Sequence, residues 1–128
     1  MEQVREITRV YRRLWIRIKV SDKTRDNALK EFIQSIKTKH GAKIDSIILF
    51  GSYARGDYRK ESDIDVLIIW KGDEVEGWNS LEKEAVEVLF KYGSFISLKI
   101  ISPNEYSAME DMDFPFIRNV SAEGVVVG

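Results

Sequence analysis

The chain contains no cysteine, so disulfides and zinc–thiolate sites are excluded outright. It has one histidine, His40, set in Lys37-Thr38-Lys39-His40-Gly41 at an expected helix end. A cationic last turn explains it there better than catalysis does. Ser-His-Asp and Cys-His mechanisms therefore have little to draw on. No apolar run approaches the ~20 residues of a membrane-spanning helix, and the first residues are charged rather than leader-like, so a cytoplasmic location is expected. There is no strong charge of one sign either. Twenty Lys and Arg against 21 Asp and Glu leave a formal net charge of −1, which gives no global electrostatic case for nucleic acid or an anionic membrane. Repeats and low-complexity stretches are also missing. What remains is an ordinary globular composition, 44% hydrophobic and 32% charged over 128 residues, enough for one domain with a real core.

The informative stretch is residues 50–69. An apolar run, Ile47-Ile48-Leu49-Phe50, leads into Gly51-Ser52-Tyr53-Ala54-Arg55-Gly56. A polar segment follows, then Ser62-Asp63-Ile64-Asp65-Val66-Leu67-Ile68-Ile69. In a strand, side chains alternate faces, so Asp63 and Asp65 point the same way, about 7 Å apart at Cα. Two like charges at the start of a buried strand are costly unless something positive sits between them. A divalent metal carrying a polyphosphate meets that need. Gly51 and Gly56 permit backbone conformations, or a closeness of approach to phosphate, that a Cβ forbids. Ser52 offers a hydroxyl and a backbone N–H at the expected start of a short helix. Arg55, Arg59 and Lys60 lie in the same loop, where phosphate contact and a solvated surface are equally good readings. A Gly-Ser turn alone is a turn, and Asp-x-Asp alone is a cap or a solvated edge. Both at this spacing, each joined to an expected strand, favour a site.

This pattern, GSYARGDYRKESDIDVLII, resembles the signature of the nucleotidyltransferase superfamily that includes DNA polymerase beta. It looks most like the minimal nucleotidyltransferases of prokaryotes, many of which are antitoxin partners of HEPN-domain proteins. Phe114-Pro115-Phe116-Ile117-Arg118-Asn119, then Glu123-Gly124-Val125, looks like the closing segment of that family. The resemblance implies an α/β (α+β) nucleotidyltransferase fold with a mixed sheet and helices packed on one face. It implies Asp63 and Asp65 as catalytic, metal-holding residues for Mg²⁺ or Mn²⁺, and Gly51, Ser52, Arg55, Gly56 and Ser62 as nucleotide-binding residues. It implies ATP or another NTP as substrate, a hydroxyl acceptor, and a HEPN-domain partner whose side chain supplies that hydroxyl. The superfamily usually adds a third carboxylate from a neighbouring strand. Here that strand is Phe95–Ile101, whose alternation puts Phe95, Ser97 and Lys99 on the active face. The acid would fall at Ser97, with Lys99 the other alignment, and neither is acidic. Glu105, Asp111 and Asp113 are later carboxylates that would have to fold back to substitute. The alternative reading is a catalytically degenerate module that binds nucleotide and a partner.

Around the motif, residues 2–13 read as a helix and 14–20 as a strand, unless the helix runs on to Ile18. This segment carries Arg5, Arg9, Arg12, Arg13, Arg17 and Lys19 beside Trp15. A solvated face explains it first, an oligomer or partner contact second, and RNA a distant third. A capped helix is expected over 23–39 and a strand over 44–50. A polar loop follows over 71–77, then a helix over 79–92, a strand over 95–101 and a short helix from Pro103. Residues 107–114 read as irregular, 116–120 as a helix or turn, and Val125–Val127 as a last strand. The chain reads as one domain over 1–128, with 1–20 an N-terminal extension and 44–101 the motif-bearing core. Trp15, Trp78 and Phe114-Pro115-Phe116 are candidate interface anchors, although Phe116 reads better as core.

Overall fold

The structure is a computed structural model that describes residues 23–56 and 63–128. The expected elements over 2–20, with Trp15, and the motif residues Arg59, Lys60 and Ser62 lie outside it. The chain runs from helix α1 (Lys23–His40) through a single 3-10 turn to strand β1 (Ile44–Phe50) and the one-turn helix α2 (Gly51–Arg55). Strand β2 (Ile64–Trp70), helix α3 (Glu74–Tyr92) and strand β3 (Ile96–Ile101) follow. Helices α4 (Pro103–Asp111) and α5 (Pro115–Glu123) and the two-residue strand β4 (Val125–Val126) close the chain. The strands form one mixed sheet in the order β3-β2-β1-β4. β1 is antiparallel to β2 and to β4, and β2 is parallel to β3.

β2 sits centrally and is buried at six of its seven positions, as expected of a strand covered on both faces. Ile64, Val66, Ile68 and Trp70 join Leu29, Phe32, Ile33 and Ile36 of α1 and Leu81, Ala85 and Val88 of α3 in the main core. The intervening Leu67 and Ile69 form a second cluster with Ile48 and Val120, flanked by Phe50, Ile101, Tyr106 and Phe116. The two long helices therefore share one face, as expected. The opposite face, expected to be open, is open only at its upper end, because α4 and α5 cover the rest. Phe116 packs there as core, its ring edge-on to Phe50 at 5.4 Å and 88°. Trp78 is partly buried against the main core, and Phe114 is exposed.

α3 begins five residues earlier than its apolar periodicity implies. Asp73 caps it by accepting from the Glu76 N–H at 3.0 Å, with Glu74 and Glu76 in the first turn. That arrangement satisfies one of the orphan donors and complements the helix dipole. Gly77 is tolerated there because the Trp70 ring fills the space a side chain would take. α4 likewise runs through Asp111 instead of dissolving at 107. Ser102 caps it by accepting from the Glu105 N–H at 3.1 Å, and Pro103 starts its first turn. His40 ends α1, as expected, its ring edge-on to Trp70 at 6.1 Å.

Candidate active site

β1 delivers the chain to Gly51, which turns with φ +75° into α2. Tyr53 and Ala54 of that single turn are buried in the main core. The Tyr53 hydroxyl donates to the Asp26 carboxylate of α1, anchoring the turn to the first helix. Gly56 closes α2 with φ 83°, donating to the carbonyls of Ser52 at 3.0 Å and Tyr53 at 3.2 Å. Two left-handed glycines thus bracket a tight turn that leaves Ser52 half-buried at its start. Among the described residues no side chain caps the start of α2, so its first N–H groups have no side-chain partner there.

Asp65 lies beside this turn. Its strand register pairs it with Phe50 on β1 and with Ser97 on β3. An ideal Cβ at Gly51 would lie 2.3 Å from Asp65 Oδ2. Glycine is therefore required at 51 twice over, for φ and for the room the carboxylate takes. Asp63 is exposed, one residue ahead of β2. The Asp65 carboxyl is pushed above its ordinary value, first by burial and then by the Asp63 charge, and is partly relieved by Lys99 and Arg55. Burial is thus the larger cause and the Asp63 charge the second, with Lys99 and Arg55 acting in the opposite direction.

The structure thus brings Gly51, Ser52, Gly56, Asp63, Asp65 and Ser97 to one end of the sheet. Leu98 packs toward the main core, which leaves Ser97 and Lys99 on the face of Asp65. Ser97, where the resemblance would set a third carboxylate, is the register partner of Asp65. Among the described residues, no group of three or more His, Cys, Asp or Glu could hold a metal. Glu105 stays at the start of α4 with Ser102, and Asp113 pairs with Arg118, so neither folds back. Arg55 is exposed and pairs with Glu123 of α5 at 2.9 Å while remaining within electrostatic reach of Asp65. Asp26 is absent from the motif-based reading, and Glu123 enters it only as part of the closing segment, without a role. They lie 27 and 68 residues from their partners, and no local spacing signals them.

A nucleotidyltransferase domain model matches residues 29–114, from within α1 through the whole motif, α3, β3 and α4. The chain belongs to the nucleotidyltransferase domain family. A Methanocaldococcus jannaschii protein provisionally named a protein adenylyltransferase is 39% identical over 102 residues, covering 80% of this chain and 96% of that relative. A second relative of the same provisional name and organism is 43% identical over 102 residues, covering 77% of this chain and 94% of its own length. Among solved structures, a toxin–antitoxin crystallised with AMP-PNP shares the fold at a TM-score of 0.52 and 20% identity, covering 76% of this chain and 70% of that one. A variant of the toxin–antitoxin MntA–HpeT aligns at 0.50 and 18%, covering 75% and 69%. The nucleotidyltransferase domain is thus an enzyme domain of a family that transfers nucleotidyl groups. No helix among its described residues is long and apolar enough to cross a membrane.

Proposed function

We propose that this nucleotidyltransferase transfers AMP from ATP to a hydroxyl of a partner protein, with Mg²⁺ or Mn²⁺ held by Asp63 and Asp65. The observation that carries the proposal is the apposition of the Gly51 backbone and the Asp65 carboxylate. It places the bare backbone of Gly51, at the start of a one-turn helix with no side-chain cap among the described residues, beside the Asp65 carboxylate. The residues fit a divalent cation in charge and donor type, since Asp63 is near enough to help raise the Asp65 carboxyl, a repulsion that an added positive charge would relieve. Bound there, the ion supplies charge neutralisation on the triphosphate and polarises the reacting phosphoryl group.

The chain's own residues have three tasks. The Gly51-Ser52 turn, with Gly56 behind it, receives phosphate oxygens on backbone N–H groups and the Ser52 hydroxyl. Asp63 and Asp65 hold the cation side of the complex in register with that turn. The open upper end of the sheet admits the acceptor in line with the leaving group. The acceptor oxygen forms a bond to the α-phosphorus as the α-phosphorus to bridging-oxygen bond breaks, and pyrophosphate leaves with the electron pair. Ser97 is not a base at neutral pH, so the hydroxyl proton passes to water. A base step is typically worth about 10²–10⁴-fold, so turnover is slow but finite. The relatives' names support adenylyl as the group moved and protein as the acceptor. The toxin–antitoxin neighbours support a partner of that kind, for which a HEPN-domain protein with an acceptor tyrosine is our choice. Phe90 and Phe95, 85% and 52% exposed, are surface anchors suited to a protein contact.

Incubation with α-³²P-labelled ATP and Mg²⁺, with and without a co-purified partner, tests this reading. Label on the partner that vanishes with Asp63→Asn is expected. A second reading is favoured by Ser97 alone: the domain binds nucleotide and partner without transfer. Bound ATP with no label on any protein would select that reading over ours.

A further inference from the structure

α2 is a single turn, entered at Gly51 with φ +75° and left at Gly56 with φ 83°. A helix this short does not hold itself, and a glycine at each end leaves the backbone free to swing. Its place is therefore set by its side chains. Tyr53 is 1% exposed and sits in the main core with Ala54. A hydroxyl at that depth needs a partner, and Tyr53 donates to the carboxylate of Asp26. Asp26 is half-buried in the first turn of α1, where the helix dipole favours a negative charge. Arg55 ties the other end of the turn to Glu123, but those side chains are 42% and 30% exposed, and solvent screens such a pair. The buried tie is the firmer of the two.

The turn needs a firm hold because of what lies beside it. The Gly51 backbone abuts the Asp65 carboxylate, so a swing of the turn either displaces that carboxylate or opens a gap next to it. A misplacement of about 1 Å is enough to disable a site of this kind. Core packing explains the Tyr53 ring, which a phenylalanine would supply equally well. It explains neither the hydroxyl nor its acidic partner.

We infer that Asp26 is a positioning residue of the site: through the Tyr53 hydroxyl it sets where the Gly51–Gly56 turn stands against Asp65. This rests on the reading that this end of the sheet binds a metal–nucleotide complex. It gives a functional part to a residue of α1 that lies 27 positions before its partner and outside the motif.

The test is binding, measured by calorimetry with Mg²⁺ and α,β-methylene-ATP at a temperature well below the melting point of every variant. Tyr53→Phe and Asp26→Ala should each weaken the complex about tenfold, the order of one hydrogen bond to a charged group. The double variant should lose no more than either single one, because each change removes the same contact. Asp26→Asn keeps an acceptor oxygen and should retain most of the affinity. Val88→Ala, which opens a cavity in the α3 part of the core, should lower the melting temperature and leave affinity unchanged. Without nucleotide, amide hydrogen exchange over residues 52–56 should quicken about tenfold in Tyr53→Phe relative to that of α3. A Tyr53→Phe variant that melts lower yet binds as tightly as the parent would overturn the inference alone. So would losses that add in the double variant, an equal loss in Val88→Ala, or unchanged exchange in the turn. A parent that binds no metal–nucleotide complex would overturn the reading beneath it, and the inference with it.

Discussion

Gly51 and Asp65 are in contact across the β1–β2 pair. A Cβ on Gly51 would come 2.3 Å from the Asp65 Oδ2 and 3.1 Å from its Cγ. At φ +75° a side chain is strained even in open space. Gly51→Ala should therefore destabilise the domain by about 1–3 kcal/mol and abolish nucleotide binding. The two causes separate in a double-mutant cycle. If the contact matters as well as φ, Gly51→Ala costs less in an Asp65→Ala background than in the parent, as read by urea denaturation. Equal costs in both backgrounds would leave φ alone responsible.

The raised Asp65 carboxyl makes a prediction about acid and metal together. Its folded-state pKa lies above the unfolded value of about 4. The folded form therefore holds its proton more tightly, and stability is greatest below the unfolded pKa. That stability is lost as pH rises through the folded pKa, where Asp65 ionises beside Asp63, with Lys99 and Arg55 only partly compensating. In metal-free buffer at pH 7, Asp65→Asn should melt a few degrees above the parent, and the gap should narrow toward pH 4. Mg²⁺ with ATP should raise the parent's melting temperature and leave the variant's where it was. A variant that melts below the parent at pH 7 would contradict the electrostatic account.

Glu84 is the buried acid of the α1–α3 interface, only 5% exposed. Burial alone would raise its carboxyl. The hydrogen bonds from Lys39 and Ser35, both at 2.7 Å, outweigh that and hold it below the ordinary range. Its contribution is present above the unfolded glutamate pKa and is lost as pH falls through the lowered folded value. Lys39→Met strands a buried carboxylate with Ser35 as its remaining hydrogen-bond donor. It should cost more, about 1–3 kcal/mol, than Glu84→Gln, which leaves only the half-exposed Lys39 without its partner. Chemical denaturation of the two variants at pH 7 checks the order.

Gly77→Ala should destabilise, against helix propensity. In an exposed helix interior, alanine for glycine gains about 1 kcal/mol. At position 77 the new methyl would lie 2.9 Å from Trp70 Nε1 and 3.0 Å from Cδ1. That indole is fixed by its donation to the Asp73 carbonyl at 3.0 Å and by burial at the end of β2. Overpacking of this kind costs about 1–3 kcal/mol, so the net sign reverses. Thermal melts of Gly77→Ala with and without Trp70→Phe, which keeps the ring but removes the bulkier indole, separate the clash from the helix term. Relief in the second background is expected.

Wherever apolar periodicity was strong, the sequence alone determined the element. The row Leu29, Phe32, Ile33, Ile36 marks α1, and Leu81, Ala85, Val88 marks α3. The runs Ile44–Phe50 and Ile64–Trp70 mark β1 and β2. Alternation alone put Ser97 and Lys99 on one face of β3, and the register sets Ser97 beside Asp65. The motif also named the residues that the fold gathers at one end of the sheet, because they are local to one turn and one strand start. Only the tertiary structure decided that Gly51 abuts Asp65, that Tyr53 is tied to Asp26 and that Arg55 is paired with Glu123. It also decided that α4 and α5 close the lower part of a face expected to be open. Local pattern says which side of an element is apolar, but not which distant surface will cover it. Tyr106, Phe116 and Val120 are too sparse to declare their partner in advance. The start of α3 was hidden for a related reason. Its signal is the single hydrogen bond of the Asp73 cap together with the Trp70 ring beside Gly77, a local cap and a tertiary contact that hydrophobic spacing does not record.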